Sequence, residues 1–140
     1  MPLHILKMCV GCDSVEDLRE WQENRILRGE ALFHRTRNMP KRAAEILAGG
    51  SLYWIIKGEV RVRQRITGLD PGVDGEGTRF CLIRLDRQLV ETVRQPRRPM
   101  QGWRYLDAAD APSDRDPGHK DEVEEMPEQM RKELRSLGLL

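Results

Sequence analysis

The run GGSLYWIIKGEVRVRQRI, residues 49–66, decides the fold: an apolar strand passes through Gly58 into a second strand with a basic face. Side chains along a strand alternate, so Arg61, Arg63 and Arg65 are expected on one face and Val60, Val62, Gln64 and Ile66 on the other. Alternate residues lie about 6.6 to 7 Å apart. The guanidiniums then repel one another unless a phosphate backbone, an acidic segment of the same chain, or water lies across them. Gly58 is read as a bulge or a barrel corner rather than a hairpin turn.

Working outward, residues 3–10 read as a strand that is apolar on both sides and therefore central. Ser14 caps a helix, with Asp17 as the capping-box acid, Leu18 and Trp21 facing inward and Gly29 as the stop. Residues 31–37 form a weaker strand, with Phe33, Arg35 and Arg37 alternating against Leu32, His34 and Thr36. Pro40 suits the first turn of a short second helix carrying Ala43, Ala44, Ile46 and Leu47, ended by Gly49 and Gly50. Beyond the central pair, 70–77 is a hairpin-type connection. Strands follow at 78–85 and 89–93, separated by a turn at Asp86. Many short strands and few helices favour a curled mixed or antiparallel sheet over a βαβ fold.

The chain of 140 residues carries 24 Lys+Arg against 23 Asp+Glu, and the near-neutral sum hides a division. Residues 1–106 hold 19 basic and 13 acidic residues, whereas 107–140 hold 5 and 10. Three parts are expected: a barrel domain over 1–106, an acidic linker over 107–125 and an amphipathic helix over 126–140. That helix bears Met126, Met130, Leu134 and Leu137 on one stripe and offers a surface for self-association. The acidic stretch either stays solvated or folds back over the basic face. No signal peptide or membrane-length apolar run is present, so a cytoplasmic protein is expected. Its three cysteines would then be reduced.

Cys9 and Cys12 form a CxxC, open to structural, zinc or dithiol readings; four zinc ligands are hard to assemble, so no metal or cofactor is expected. No phosphate-loop, dinucleotide, zinc-protease or nucleophile-elbow signature occurs. His34, Lys57, Glu45 and Glu91 are the acid–base candidates, and no spacing ties them together. The segment RQPRRPMQGWRYL, residues 94–106, interleaves arginines with Trp103 and Tyr105. Arginine neutralises phosphate and an aromatic face stacks a base, the chemistry of a single-strand or RNA contact. The alternative is a stiff loop whose aromatics plug the end of a barrel. Trp54 shares a face with Leu52 and Ile56 and is most simply a core residue, or else one wall of a base pocket.

The runs CVGCDSVEDLREWQ, TRNMPKRAAEILAGGSLYWIIKG, VRQRI and RRPMQGWRYL resemble a small bacterial domain-of-unknown-function family, number 1489. The element order also resembles the PUA-like barrels, which include the ASCH and EVE domains and often bind RNA or modified bases. The GxKxxExR-like signature of the ASCH branch is absent, so no residue of that branch carries over. The expectation is an α+β protein, a strongly curved PUA-like barrel flanked by short helices, with a C-terminal helix. Its expected function is non-enzymatic RNA or nucleic-acid binding. Arg61, Arg63, Arg65, Arg97, Arg98 and Arg104 would neutralise phosphates, Trp103 and Tyr105 would stack, and Lys57 and Gln101 would make polar contacts. The alternatives are a small nucleotide- or nucleoside-acting enzyme around Trp54, Lys57 and Trp103, with His34 or Glu91 as base, and a protein-interaction domain.

Overall fold

The computed structural model describes residues 2–98 and 100–115. They form a six-stranded mixed sheet and two helices: β1 (His4–Met8), α1 (Val15–Leu27), β2 (Phe33–Thr36), α2 (Ala43–Leu47), β3 (Ser51–Ile56), β4 (Glu59–Val73), β5 (Arg79–Pro96) and β6 (Trp103–Leu106). The strand order is β2-β5-β4-β3-β1-β6, in which only β1 and β3 run parallel. The residues expected to form the C-terminal helix lie outside the described part.

At the centre, β3 is buried at all six positions because both of its faces are covered. One face carries Leu52, Trp54 and Ile56, packed with Ile5, Val62, Ile66 and Ile83 beneath Leu18 of α1 and Ile46 of α2. The opposite face carries Tyr53 and Ile55, packed with Leu6, Val60 and Leu106. Each fully buried aliphatic side chain contributes about 1.5–3 kcal/mol relative to exposure, so β3 anchors two cores at once. The second core is closed by the segment after β6, from which Ala111 packs on it and Pro112 is buried. That segment is held to β5 by Val93 N–H donating to Ser113 O at 2.8 Å and Arg115 N–H to Glu91 O at 2.9 Å.

The sheet is curled but not closed into the expected barrel. Its edge strands β2 and β6 do not pair. The indole N–H of Trp103 in β6 instead donates to Asn38 O, just beyond β2, at 3.2 Å, and Arg42 N–H donates to the Tyr105 hydroxyl at 3.2 Å. The two edges therefore approach across an unpaired seam. Four-residue strands end too soon to complete a ladder across it.

Several local expectations need correction. Gly58 is a hairpin turn: Lys57 (φ 50°) and Gly58 (φ 79°) link β3 directly to β4, the positive pair that a two-residue turn requires. The two strands expected after residue 77 are one strand, β5, whose register with β4 slips around Asp86 instead of turning back. The alternation in β4 holds from Val62 to Ile66 but breaks earlier. Val60 pairs with Ile55 and Val62 with Trp54, a bulge at Arg61 that sends Val60 to the opposite core. Ser14 caps α1 as expected, accepting from Asp17 N–H at 3.2 Å, but Trp21 is 48% exposed. Its expected inward place belongs to Gln22, which is buried and exchanges two hydrogen bonds, 2.9 and 2.7 Å, with Gln64. Gln64 also accepts from the Trp54 indole N–H at 3.2 Å and donates to Asp86 O at 2.7 Å, so this polar group inside the core is fully used.

Candidate functional site

Two contiguous chambers lie along the unpaired seam. The larger, about 770 Å³, lies between the 37–41 segment, the β4–β5 hairpin arm and the aromatic pair of β6. The smaller, about 650 Å³, lies between β1, β2 and the turn before β6. Arg37, Asn38 and Trp103 line both. Among the described residues, the chambers together are lined by six cations, Lys7, Arg35, Arg37, Lys41, Arg79 and Arg104, and by no carboxylate. Three aromatic rings, Phe80, Trp103 and Tyr105, share that lining.

Backbone register explains the arrangement. Lys7 of β1 stands opposite Trp103 of β6, and Ile5 opposite Tyr105, so both rings turn toward the helix-covered side, where Trp103 packs at the edge of the core. The rings meet edge to face with centroids 4.9 Å apart. Arg35 lies over the Phe80 ring at 4.1 Å and reaches Asp74 at 3.5 Å. Arg37, Lys41 and Arg79 form no ion pair among the described residues and are exposed. Their charge is available to an anion, whereas a neutralised surface arginine offers little.

Of the residues expected to form a site, Gln101, Trp103, Arg104 and Tyr105 come together at the seam. The arginines of β4 stand elsewhere. Arg63 projects to the opposite face, where Asp114 accepts from Nε and Nη2 at 2.6 Å each and Ser51 Oγ accepts at 3.1 Å. That pairing raises the Arg63 pKa and lowers that of Asp114. Asp114 comes from the acidic stretch, so among the described residues that stretch folds back onto Arg63. Arg65 is exposed beside it and Arg61 is half-buried. Arg97 donates to Gln95 Oε1 at 3.0 Å and, through its amide, to Gly58 O at 2.8 Å, next to the exposed Lys57, whose ammonium is 4.0 Å from Asp13. Arg98 is exposed.

Sequence reasoning missed Lys7, Arg37, Lys41, Arg79 and Phe80 as site residues. The signal available was RTRNMPKR, residues 35–42, which holds four cations in eight positions, one more than any eight-residue window across the alternating arginines of β4.

Trp54 does not share a pocket with Trp103. It is 3% exposed and floors a separate cleft of about 250 Å³ under α1, against the edge of His34 at 5.5 Å. Glu91 faces Arg115 at 3.9 Å. The constellation of Trp54, Lys57 and Trp103 with His34 or Glu91 therefore does not converge. Cys9 and Cys12 are joined as a disulfide where β1 gives way to α1, in place of the reduced pair expected. Among the described residues no group of three or more His, Cys, Asp or Glu is placed to hold a metal ion, and no helix is long and apolar enough to cross a membrane.

Burial, with the charges of Lys7 and Arg25, pushes the His34 imidazole down to about 4. An unfolded chain protonates this histidine first as pH falls below about 6.5, so its contribution to stability is complete above that value and is lost toward pH 4. Allowing for partial exposure, the loss is about 2 kcal/mol. Denaturant unfolding of the wild type and His34→Gln should therefore give a stability difference that narrows by that amount between about pH 7 and pH 4. A difference independent of pH contradicts the assignment.

The fold and this site define an α+β protein whose curled, unclosed sheet carries a seam lined by cations and aromatic rings. The chain belongs to the family described as Protein of unknown function (DUF1489), whose model matches residues 5–140. No curated protein and no solved structure matches it.

Proposed function

We propose that this protein is a nucleic-acid binding module, with RNA as the ligand class, and that it holds a single-stranded segment along the seam between β2 and β6. The observation that carries this reading is the lining itself: among the described residues, six cations and three aromatic rings with no carboxylate. Arg37, Lys41, Arg79 and Arg104 neutralise backbone phosphates, Trp103 and Tyr105 offer faces and edges for unstacked bases, and Gln101 and Asn38 supply polar contacts to a base or sugar. This division of labour is the usual one for single strands, where charge tracks the backbone and aromatic stacking tolerates sequence. Arg61, Arg65, Arg97, Arg98 and Lys57 reinforce binding only of strands longer than the seam. Arg63, tied to Asp114, contributes least.

Neutralising phosphates releases counterions, so affinity must fall with salt. Engagement of four of the six cations gives a slope of about −2.8 in log K against log salt, or about a fifty-fold loss between 50 and 200 mM. Fluorescence anisotropy with a labelled single-stranded oligoribonucleotide measures both. Absence of binding at low salt, or affinity indifferent to salt, rejects the proposal.

A further inference from the structure

Lys7 lies on β1, next to the edge strand β6 and opposite Trp103, and lines the smaller chamber with Thr36 and Gln101. It is half-buried, and among the described residues its ammonium forms no ion pair. The other ionisable groups lining that chamber among the described residues are basic: Arg35 and Arg37 from the β2 side and Arg104 from β6. Deeper in, the Lys7 charge acts on His34, which stays neutral against Trp54. Long cationic side chains normally carry their heads out to water or to an acid. This one does neither fully. Burial lowers its pKa, and no carboxylate among the described residues offsets that burial. A half-buried cation among other cations is unfavourable in the empty protein and is relieved by an anion of matching depth.

Resting on the seam as the binding site, we infer that Lys7 is its innermost anion receptor, whose ammonium takes a phosphate group of the ligand between Thr36, Gln101 and Trp103. The exposed cations Arg37, Lys41 and Arg79 attract a strand, and Lys7 fixes one phosphate of it in place. The seam then holds one phosphate at a defined depth rather than presenting an undifferentiated basic surface. Inorganic phosphate alone fills the same position at higher concentration.

Pyridoxal 5′-phosphate, a phosphate-bearing aldehyde, tests this on the intact wild-type chain. A lysine amine near a bound phosphate adds to the aldehyde with loss of water, and borohydride then delivers hydride to the imine carbon, leaving a stable secondary amine. Peptide mapping should find Lys7 labelled several-fold above the exposed Lys41 and Lys57, with millimolar inorganic phosphate suppressing label at Lys7 selectively. Label spread evenly over these lysines, or unprotected by phosphate, overturns the inference even if an oligoribonucleotide binds. Protected labelling at Lys7 in a protein that binds no oligoribonucleotide supports the phosphate site while removing the nucleic-acid reading, so the two failures are distinguishable.

Discussion

Replacing Gly50 by alanine should cost about 4 kcal/mol, a large part of the roughly 5–15 kcal/mol that holds a domain of this size together. A Cβ at this position lands on the carbonyl oxygen of Leu3 and lies 2.6 Å from that of Ile46 and 3.2 Å from the Ile46 Cα. These are backbone atoms of two converging segments, the lead into β1 and the end of α2. Gly50 N–H donates to Ile46 O at 2.6 Å, closing α2, and Gly50 O accepts from Ile66 N–H at 3.0 Å, tying that turn to β4. Leu3 leads into β1 and Ile46 is fully buried, so neither can withdraw without opening the core. A flexible side chain would yield more cheaply. Gly75→Ala is the control, since nothing lies within 4 Å of its added carbon and its cost should stay within about 0.5 kcal/mol. Urea unfolding midpoints compare them, and a Gly50→Ala protein within 1 kcal/mol of wild type would contradict the close packing described.

The second large effect is functional. Reversing two seam charges in the pair Arg37→Glu and Arg79→Glu should reduce oligoribonucleotide affinity at low salt by more than about a hundred-fold, because each change removes a phosphate contact and adds a repulsive carboxylate. Both residues are exposed and form no ion pair among the described residues, so folding should be little affected. Trp103→Ala should lose about 1–3 kcal/mol of stacking. Because Trp103 also packs on the core and donates to Asn38, Trp103→Phe serves as its partner variant, retaining a stacking face without the N–H. Arg65→Glu, on the other side of the sheet, should change affinity less than about three-fold. Equal losses from Arg65→Glu and from the seam pair would mean that long-range charge, not the seam, drives binding.

What could be read from the chain and what could not follow a physical line. The cap at Ser14, the core face of Leu52, Trp54 and Ile56 and the series Val62, Gln64 and Ile66 rest on local chemistry or on strict periodicity, and they appear where expected. A bulge is invisible to periodicity. One extra residue at Arg61 moved Val60 to the other core and broke the set of three aligned arginines. Arg63 looked like a ligand contact because its partner, Asp114, lies 51 residues away, and no local pattern reports such a pairing. The strand at 103–106 escaped notice because it is short and follows a run of proline and arginine. With it went the parallel–antiparallel neighbourhood of β1 that sets Lys7 against Trp103. Half of the seam lies in a segment that stands out in the sequence for its aromatics and arginines. The other half, residues 35–42, was read only as the edge of a weak strand and the start of a helix, because the approach of β2 to β6 arises from the curl of the whole sheet.

Photocrosslinking a 4-thiouridine oligoribonucleotide to the wild-type protein, followed by peptide mapping, tests the central claim most directly. Adducts should fall in residues 35–41 and 101–105, on the two sides of the seam, and should disappear in the Arg37→Glu, Arg79→Glu protein. Adducts concentrated around Arg63 and Arg65, or around Arg97 and Arg98, with residues 35–41 unmodified, would place the ligand on another surface and contradict the account.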